Sequence, residues 1–424
     1  MNLTTPLKIV WQSIKNNKTR TFLTILGMLI GVTSIIIVFS AGEGFKGLIV
    51  QQVESFGTDI IESEVRVPQK GKKGETSDME SAVAMAQGVQ ITTMTLDDVE
   101  DIIKLPNVTN GYGGIMGQEL ATYQNKRKKV FLLGVSASYI NIDKSKVAQG
   151  RFFTAAEDKS LARVVVLGSK VKEKLFADSD ALGKFIKLGK SKYKVIGIIE
   201  ERGAVMTVDF DEYIYIPVRT LQKRIMGIDY LMYIVHQIED LSMADQTAED
   251  IRILLRENHD INNPEADVSK DDFAVYTMEE MMSMVDEITN YITLLLLAIV
   301  IVSLIVGGVG IMNIMYVIVT ERTFEIGLRK SVGAKQKDIL WQFLIESIII
   351  ALIGAIIGML LGILISFLIS IVANYYGMDW RLSIPPIGLI VAFSFSILCG
   401  LVFGVFPARK AAQMDPIIAL RKDI

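Results

Sequence analysis

Four stretches of the chain are nearly free of charge and long enough to cross a bilayer: residues 21–41, 291–320, 344–373 and 387–407. A spanning helix needs roughly 20 apolar residues, and each stretch supplies them. Between the first and second lies a polar stretch of about 245 residues that carries most of the charge. It predicts a folded aqueous domain. The expected fold class is therefore an α-helical membrane domain of four transmembrane helices plus an α+β extracytoplasmic domain on helical stalks.

Finer periodicity refines the plan. Leu7, Val10, Trp11 and Ile14 share one helical face, with Lys8, Gln12 and Lys15 opposite, so residues 1–20 predict an amphipathic elbow in the headgroup region. Helical spacing of Phe45, Leu48, Ile49, Gln52 and Val53 extends the first span into a stalk, giving 21–53 as one unit. Met278, Met281, Met282 and Val285 mirror it before the second span, within 277–320, and this methionine stripe is read as packing. In the domain between, 54–276, residues 95–105 predict a helix with Thr95 as N-cap, Asp97 and Asp98 in its first turn, and an end before Pro106. Strands are expected at 120–123 and 130–135 as a hairpin around 124–129, and at 163–167, 185–188, 193–199 and 212–216. Helices are expected at 168–176 and 243–257, and 69–78 as a mobile polar loop.

Charge gives the plan a direction. Lys8, Lys15, Lys18 and Arg20 precede the first span without an acidic neighbour, which predicts a cytoplasmic N-terminus. Four spans return the C-terminus to that side. The loop 321–340, with Arg322, Arg329, Lys330, Lys335 and Lys337, and the tail 408–424, with Arg409, Lys410, Arg421 and Lys422, are basic as that topology demands. The opposite loop 374–386 holds only Asp379 and Arg381. Residues 42–290 carry 30 basic and 40 acidic side chains, an acidic outer surface that disfavours nucleic acid. The basic run before the first span is not followed by a clear cleavage site, so 21–41 is expected to stay as an anchor. Cys399 is the one cysteine, so no intrachain disulfide can form.

Catalytic constellations are missing. No G-x-x-x-x-G-K-[ST] motif offers a phosphate nest, so ATP hydrolysis by that route is excluded for these residues. His236 and His259, with no thiol near them, predict surface or satisfied-core roles and no metal site. The carboxylate pairs Asp97–Asp98 and Asp271–Asp272 fit helix starts and loops. Within the spans, Gly27 and Gly31, Gly307 and Gly308 beside Gly310, Gly354, Gly358 and Gly362, and Gly400 and Gly404 have the small-residue spacing that lets helix backbones approach. Glu346, near the start of the third span (341–373), must face protein or headgroups. No span carries the row of ionisable groups that a proton-coupled pathway uses, which leaves the energy source outside the chain. The sharpest segment is the loop between the second and third spans, TERTFEIGLRKSVGAKQKDILW, a charged helix-forming stretch that reads as a lever for a cytoplasmic motor.

That loop, extended as ERTFEIGLRKSVGAKQKDILWQFLIES, resembles the signature of the MacB-type ABC transporter permeases, a family that includes FtsX and LolC/LolE proteins. GRFFTAAEDKSLARVVVLGSKVKEKLF at 150–176, DALGKFIKLGKSKYKVIGII at 180–199 and GVFPARKAAQMDPIIALR at 404–421 extend the resemblance over essentially the whole chain. It implies a non-catalytic permease subunit, in a homodimer or heterodimer, bound to two ATPase subunits that hold ATP and magnesium, with an adaptor protein alongside. It also implies a porter-like outer part with an inserted subdomain at about 112–224. The coupling role falls on Glu325, Gly327, Arg329, Lys330, Gly333 and Ala334. Because these residues carry no fused ATPase, a separate ATPase is expected. The expected function is export of peptides, antibiotics or other amphiphiles by mechanotransmission; the alternatives are an FtsX-like scaffold for a cell-wall hydrolase, or a lipoprotein-release permease.

Overall fold

A computed structural model describes residues 18–68, 77–143, 145–205, 208–376, 378 and 380–421. The periodic residues of the elbow and most of the polar loop lie outside the described residues; the last two loop residues begin a helix, Ser77–Ala86. The chain divides into two compact units, Ile49–Met284 and the remainder.

Four helices are long and apolar enough to cross a membrane: Lys18–Phe56, Met278–Glu321, Gln336–Tyr375 and Pro386–Gln413. At about 1.5 Å per residue, the 44-residue second helix is roughly twice as long as a bilayer core is thick. The fourth runs through Pro407 to Gln413, with Pro407, Ala408, Ala411 and Ala412 all buried. Small residues set how these helices meet. A Cβ on Gly27 would lie 2.8 Å from the Gly307 backbone, and one on Gly31 would strike Leu304. Gly358 and Gly362 lie against Leu29, Val32 and Ile36 of the first span, where Thr33 Oγ1 donates to the Gly358 carbonyl at 2.9 Å. Gly400 and Gly404 meet Ile348 and Ser347 of the third span, and Ser347 Oγ donates to the Gly400 carbonyl at 2.8 Å. Gly308 lies under Phe403, and Gly354 is buried. Without a hydrophobic drive inside lipid, close packing of this kind holds a helix bundle together.

In the other unit, ten strands among the described residues form one sheet. The strands are β1 (Ile60–Val65), β2 (Val108–Tyr123), β3 (Lys126–Val135), β4 (Val147–Gly150), β5 (Val164–Leu167), β6 (Phe185–Leu188), β7 (Ser191–Ile199), β10 (Tyr213–Pro217), β11 (Tyr233–Ile238) and β12 (Phe273–Thr277). The short β8 (Ala204–Val205) and β9 (Val208–Asp209) pair with each other. Sheet order is β12-β1-β11-β2-β3-β10-β5-β7-β4, with β6 on β2 and β7. The 16-residue β2 pairs with β11 along its first half and with β6 near its end, so one ladder runs through the unit.

Alternation along the strands gives the sheet two unlike faces. One face lies under the helices Leu96–Ile102, Ser169–Phe176 and Ala244–Asn258, around Ile61, Ile115, Ile234, Ile251, Leu255 and Phe273. Thr95 caps the first of these helices as expected, forming a capping box with Asp98. The other face is aromatic: Tyr112, Tyr139, Phe152, Tyr213 and Tyr215 cluster there, with the Tyr112 and Tyr139 rings edge to face at 5.2 Å. The hairpin is longer than its apolar pattern predicts. Lys126 already pairs with Tyr123, and Gln124, at φ 51°, helps form a two-residue turn. The tip hides from a hydrophobicity reading because most side chains of Lys126–Lys129 point into solvent.

Candidate coupling site

The loop between the second and third spans folds as a helix, Thr323–Ser331, with charge complementary to its dipole: Glu325 in the first turn, Arg329 and Lys330 in the last. Gly333 ends it at φ 102°. Its N–H donates to the Lys330 carbonyl at 3.1 Å and that of Ala334 to the Arg329 carbonyl at 3.0 Å, the paired bonds of a Schellman motif. A residue with a Cβ would be strained there.

One side of this helix is tied to the bundle. Arg322 Nε lies 2.8 Å from Glu325, and its Nη1 lies 3.2 Å from Glu346, which is 2% exposed in the third span. Arg329 lies 2.6 Å from Glu325 and donates to Gln342 of the third-span helix. The Arg322 guanidinium, with Arg329 behind it, holds Glu325 below the usual carboxylate range. Lys330 Nζ donates to the Ala412 carbonyl at 2.9 Å and to that of Met414, at the end of the fourth span. A Cβ on Gly327 would come within 2.8 Å of Ala419, on the short helix Pro416–Arg421, so glycine lets the two helices touch. Ala334 packs on the edge of the bundle core. Glu325, Gly327, Arg329 and Lys330 are thus brought together on one helix, and Gly333 and Ala334 shape its exit.

Several residues of the site escape a sequence reading. Arg322 joins three elements and is the partner of Glu346, which faces protein as expected. Phe324, Leu328 and Val332 recur every fourth residue on the side away from the bundle and are 45%, 49% and 80% exposed. The four-residue spacing was the available signal. Ile417 and Ile418 on the helix Pro416–Arg421 are also exposed.

The two histidines have structural settings. His236 is buried near the Val99 carbonyl, and burial pushes its pKa down to about 4. His259 Nδ1 lies 2.7 Å from Asp272 and Nε2 3.6 Å from Asp98. Burial opposes its charge, but the two carboxylates outweigh it and raise its pKa to about 9. Next to it Arg256 holds Asp271 through Nε and Nη2 at 2.6–3.1 Å. The acidic pairs therefore meet cations of the helix Ala244–Asn258 and its C-terminal end.

Residues 21–254 match the family model of the MacB-like periplasmic core domain, and residues 297–416 match the FtsX-like permease C-terminal domain. The chain belongs to the MacB-like permeases. This MacB-like permease is 34% identical to the macrolide export ATP-binding/permease protein MacB of Wolinella succinogenes over 98% of its own length, and 37% identical to the protein of that name from Chlorobium phaeobacteroides over 97%. It spans about 60% of the length of those curated relatives. Among solved structures, the periplasmic region of MacB from Actinobacillus actinomycetemcomitans is 20% identical with a TM-score of 0.45, covering 56% of this chain and 97% of that one. The extracellular domain of the ABC-type transporter YknZ from Gram-positive bacteria is 22% identical with a TM-score of 0.40, covering 51% and 99%. The MacB-like permease is a membrane protein with four spans and a β-containing extracytoplasmic domain.

Proposed function

We propose that the chain is the force-transmitting permease of an ABC-type export complex, and that the helix Thr323–Ser331 is the surface on which the ATPase pushes. One observation carries this reading: the helix is tied on one side to the third and fourth span helices and presents the apolar stripe Phe324, Leu328 and Val332 on the other. A load applied to the stripe reaches the third span through Arg322–Glu346 and the fourth through Lys330. An amphipathic helix seated in a groove is a common way for two proteins to dock. The relatives are named as ATP-binding/permease proteins, and the chain spans about 60% of their length. The ATPase, with its ATP and magnesium, is accordingly sought outside these residues, on the same or another polypeptide.

In this reading the loop and both termini face the cytoplasm. A second permease copy completes the complex, an adaptor joins it, and the cargo is a macrolide-like or peptide amphiphile, as the names of the relatives suggest. The test is ATP hydrolysis by the complex reconstituted in lipid. Glu325→Lys sets a lysine between Arg322 and Arg329 and is expected to reduce cargo-stimulated hydrolysis at least tenfold, and Gly327→Pro to do the same by breaking the helix. Unchanged stimulation in both variants would refute the coupling assignment.

A further inference from the structure

The open face of the sheet holds a cavity of about 460 Å³ within the unit Ile49–Met284, a size typical of small-ligand sites. Five methionines line it: Met85, Met116, Met232, Met278 and Met281. Methionine is flexible and polarisable, so such a wall adapts to irregular apolar shapes. Tyr112, Tyr139, Phe210 and Tyr233 add ring faces, which attract cations as well as apolar groups.

Glu62, Glu64 and Asp143 are the charged groups of the lining, and no lysine or arginine is among them. Asp143 is neutralised by Arg202, whose Nη1 lies 2.8 Å away. Glu62 differs. Its side chain is half-buried and has no hydrogen-bond or ion-pair partner among the described residues. It projects from β1, a strand with neighbours on both sides, toward the aromatic side of the sheet. A carboxylate held without a partner against apolar walls is costly unless a ligand supplies the counter-charge. We propose that this cavity is a binding site for a cationic amphiphile, with Glu62 as the counter-ion and the methionine and aromatic wall as the apolar seat. The proposal rests on the export reading above and names the chemistry of the cargo.

Burial, with Glu64 beside it, raises the Glu62 pKa to about 7. The other titratable groups around it are Tyr233 on the adjacent β11, Tyr112 on β2 beyond it, Tyr276 directly across on β12, and the Asp143–Arg202 pair. Burial keeps Tyr112 and Tyr233 neutral near pH 7 and Arg202 compensates Asp143, so among these groups Glu62 is the one that changes charge there. A permanent cation therefore meets an ionised Glu62 at pH 8 and a largely protonated one at pH 6.

The test uses the full chain in phosphatidylcholine nanodiscs and two probes of nearly the same size and shape, tetraphenylphosphonium and tetraphenylborate. Equilibrium dialysis, with empty nanodiscs subtracted, is expected to show saturable binding of the cation alone. Glu62→Gln keeps the shape of the protonated side chain and is expected to weaken cation binding about tenfold and to abolish the difference between pH 6 and pH 8. Met232→Trp, which fills the cavity, is expected to remove saturable binding. Equal binding of the two probes, or unaltered cation binding by Glu62→Gln, would overturn the assignment. Absence of saturable cation binding, while Glu325→Lys still uncouples hydrolysis, would overturn the cavity assignment alone and leave the coupling reading standing.

Discussion

Two ionic clusters of the molecule use similar residues to opposite ends. In the extracytoplasmic unit, His259 meets Asp98 and Asp272, and Arg256 meets Asp271, with the side chains of His259 and Asp271 both 2% exposed. At the loop between the second and third spans, Arg322, Glu325 and Arg329 are linked, but Glu325 and Arg329 keep 40% and 39% of their side chains in solvent. The first cluster is sealed, and its carboxylates bind cations that water cannot replace. The second is anchored to Glu346 at one end and open at the other. A sealed cluster fastens; a half-open one can exchange partners at little cost, which suits the load-receiving role proposed for this helix.

Removing one partner from each cluster should therefore have unequal effects. Asp271→Ala leaves the buried Arg256 with only the half-exposed Glu249, 3.8 Å away, and is expected to destabilise the extracytoplasmic unit by about 3 kcal/mol, read from hydrogen exchange of the helix Ala244–Asn258 in the full chain. A sealed cluster must also respond to pH. The folded pKa of His259, about 9, lies above its ordinary 6.5, so its contribution is fully present below about pH 6.5 and lost as pH rises through 9. The expected loss is about 3 kcal/mol between those limits, measured as a fall in unfolding temperature that His259→Gln abolishes. Asp98 is shifted the other way: burial raises its pKa, but hydrogen bonds from His259 and Asn258 prevail and lower it. Its contribution is present above the ordinary aspartate range and fades on acidification. The smallest effect belongs to the open cluster. Arg329→Gln is expected to change stability by less than about 1 kcal/mol, since half-exposed pairs contribute little. A larger loss would show that the loop fastens as the sealed cluster does.

The parts legible in the sequence were those with local causes. Long uncharged runs exposed the four span helices, the Thr95 cap announced its helix, and alternation found β5, β6, β7 and β10 to within two residues. Three neighbouring strands, two of which line the cavity, were hidden. In β1, Glu62 and Glu64 interrupt the apolar pattern on the face that is open to the cavity. β12 is a short and nearly unbroken apolar run, which periodicity cannot tell from buried helix, and in β11 His236 and Gln237 break the alternation. The charged loop was legible as a unit, yet its tethers were not: Arg322 finds Glu346 across 24 positions, and Gly327 meets Ala419 across the whole length of two spans. Nor could composition foresee that Asp98 and His259 converge from opposite ends of the domain. The methionine stripe read as packing is divided in the fold: Met278 packs on the aromatic core, and with Met281 it lines the cavity.

The proposed coupling requires the outer stripe of the helix Thr323–Ser331 to touch the ATPase. Cys399 is the one cysteine, so Cys399→Ala provides a background in which a single thiol can be placed at will. With Val332→Cys in that background, a thiol-reactive photo-crosslinker is expected to join the permease to the ATPase part with a yield that changes when ATP is added. The same reagent at Ile387→Cys, on an exposed position at the other end of the fourth span, is expected to give none. Equal crosslinking at both positions, or none at Val332→Cys in an actively hydrolysing complex, would contradict the account.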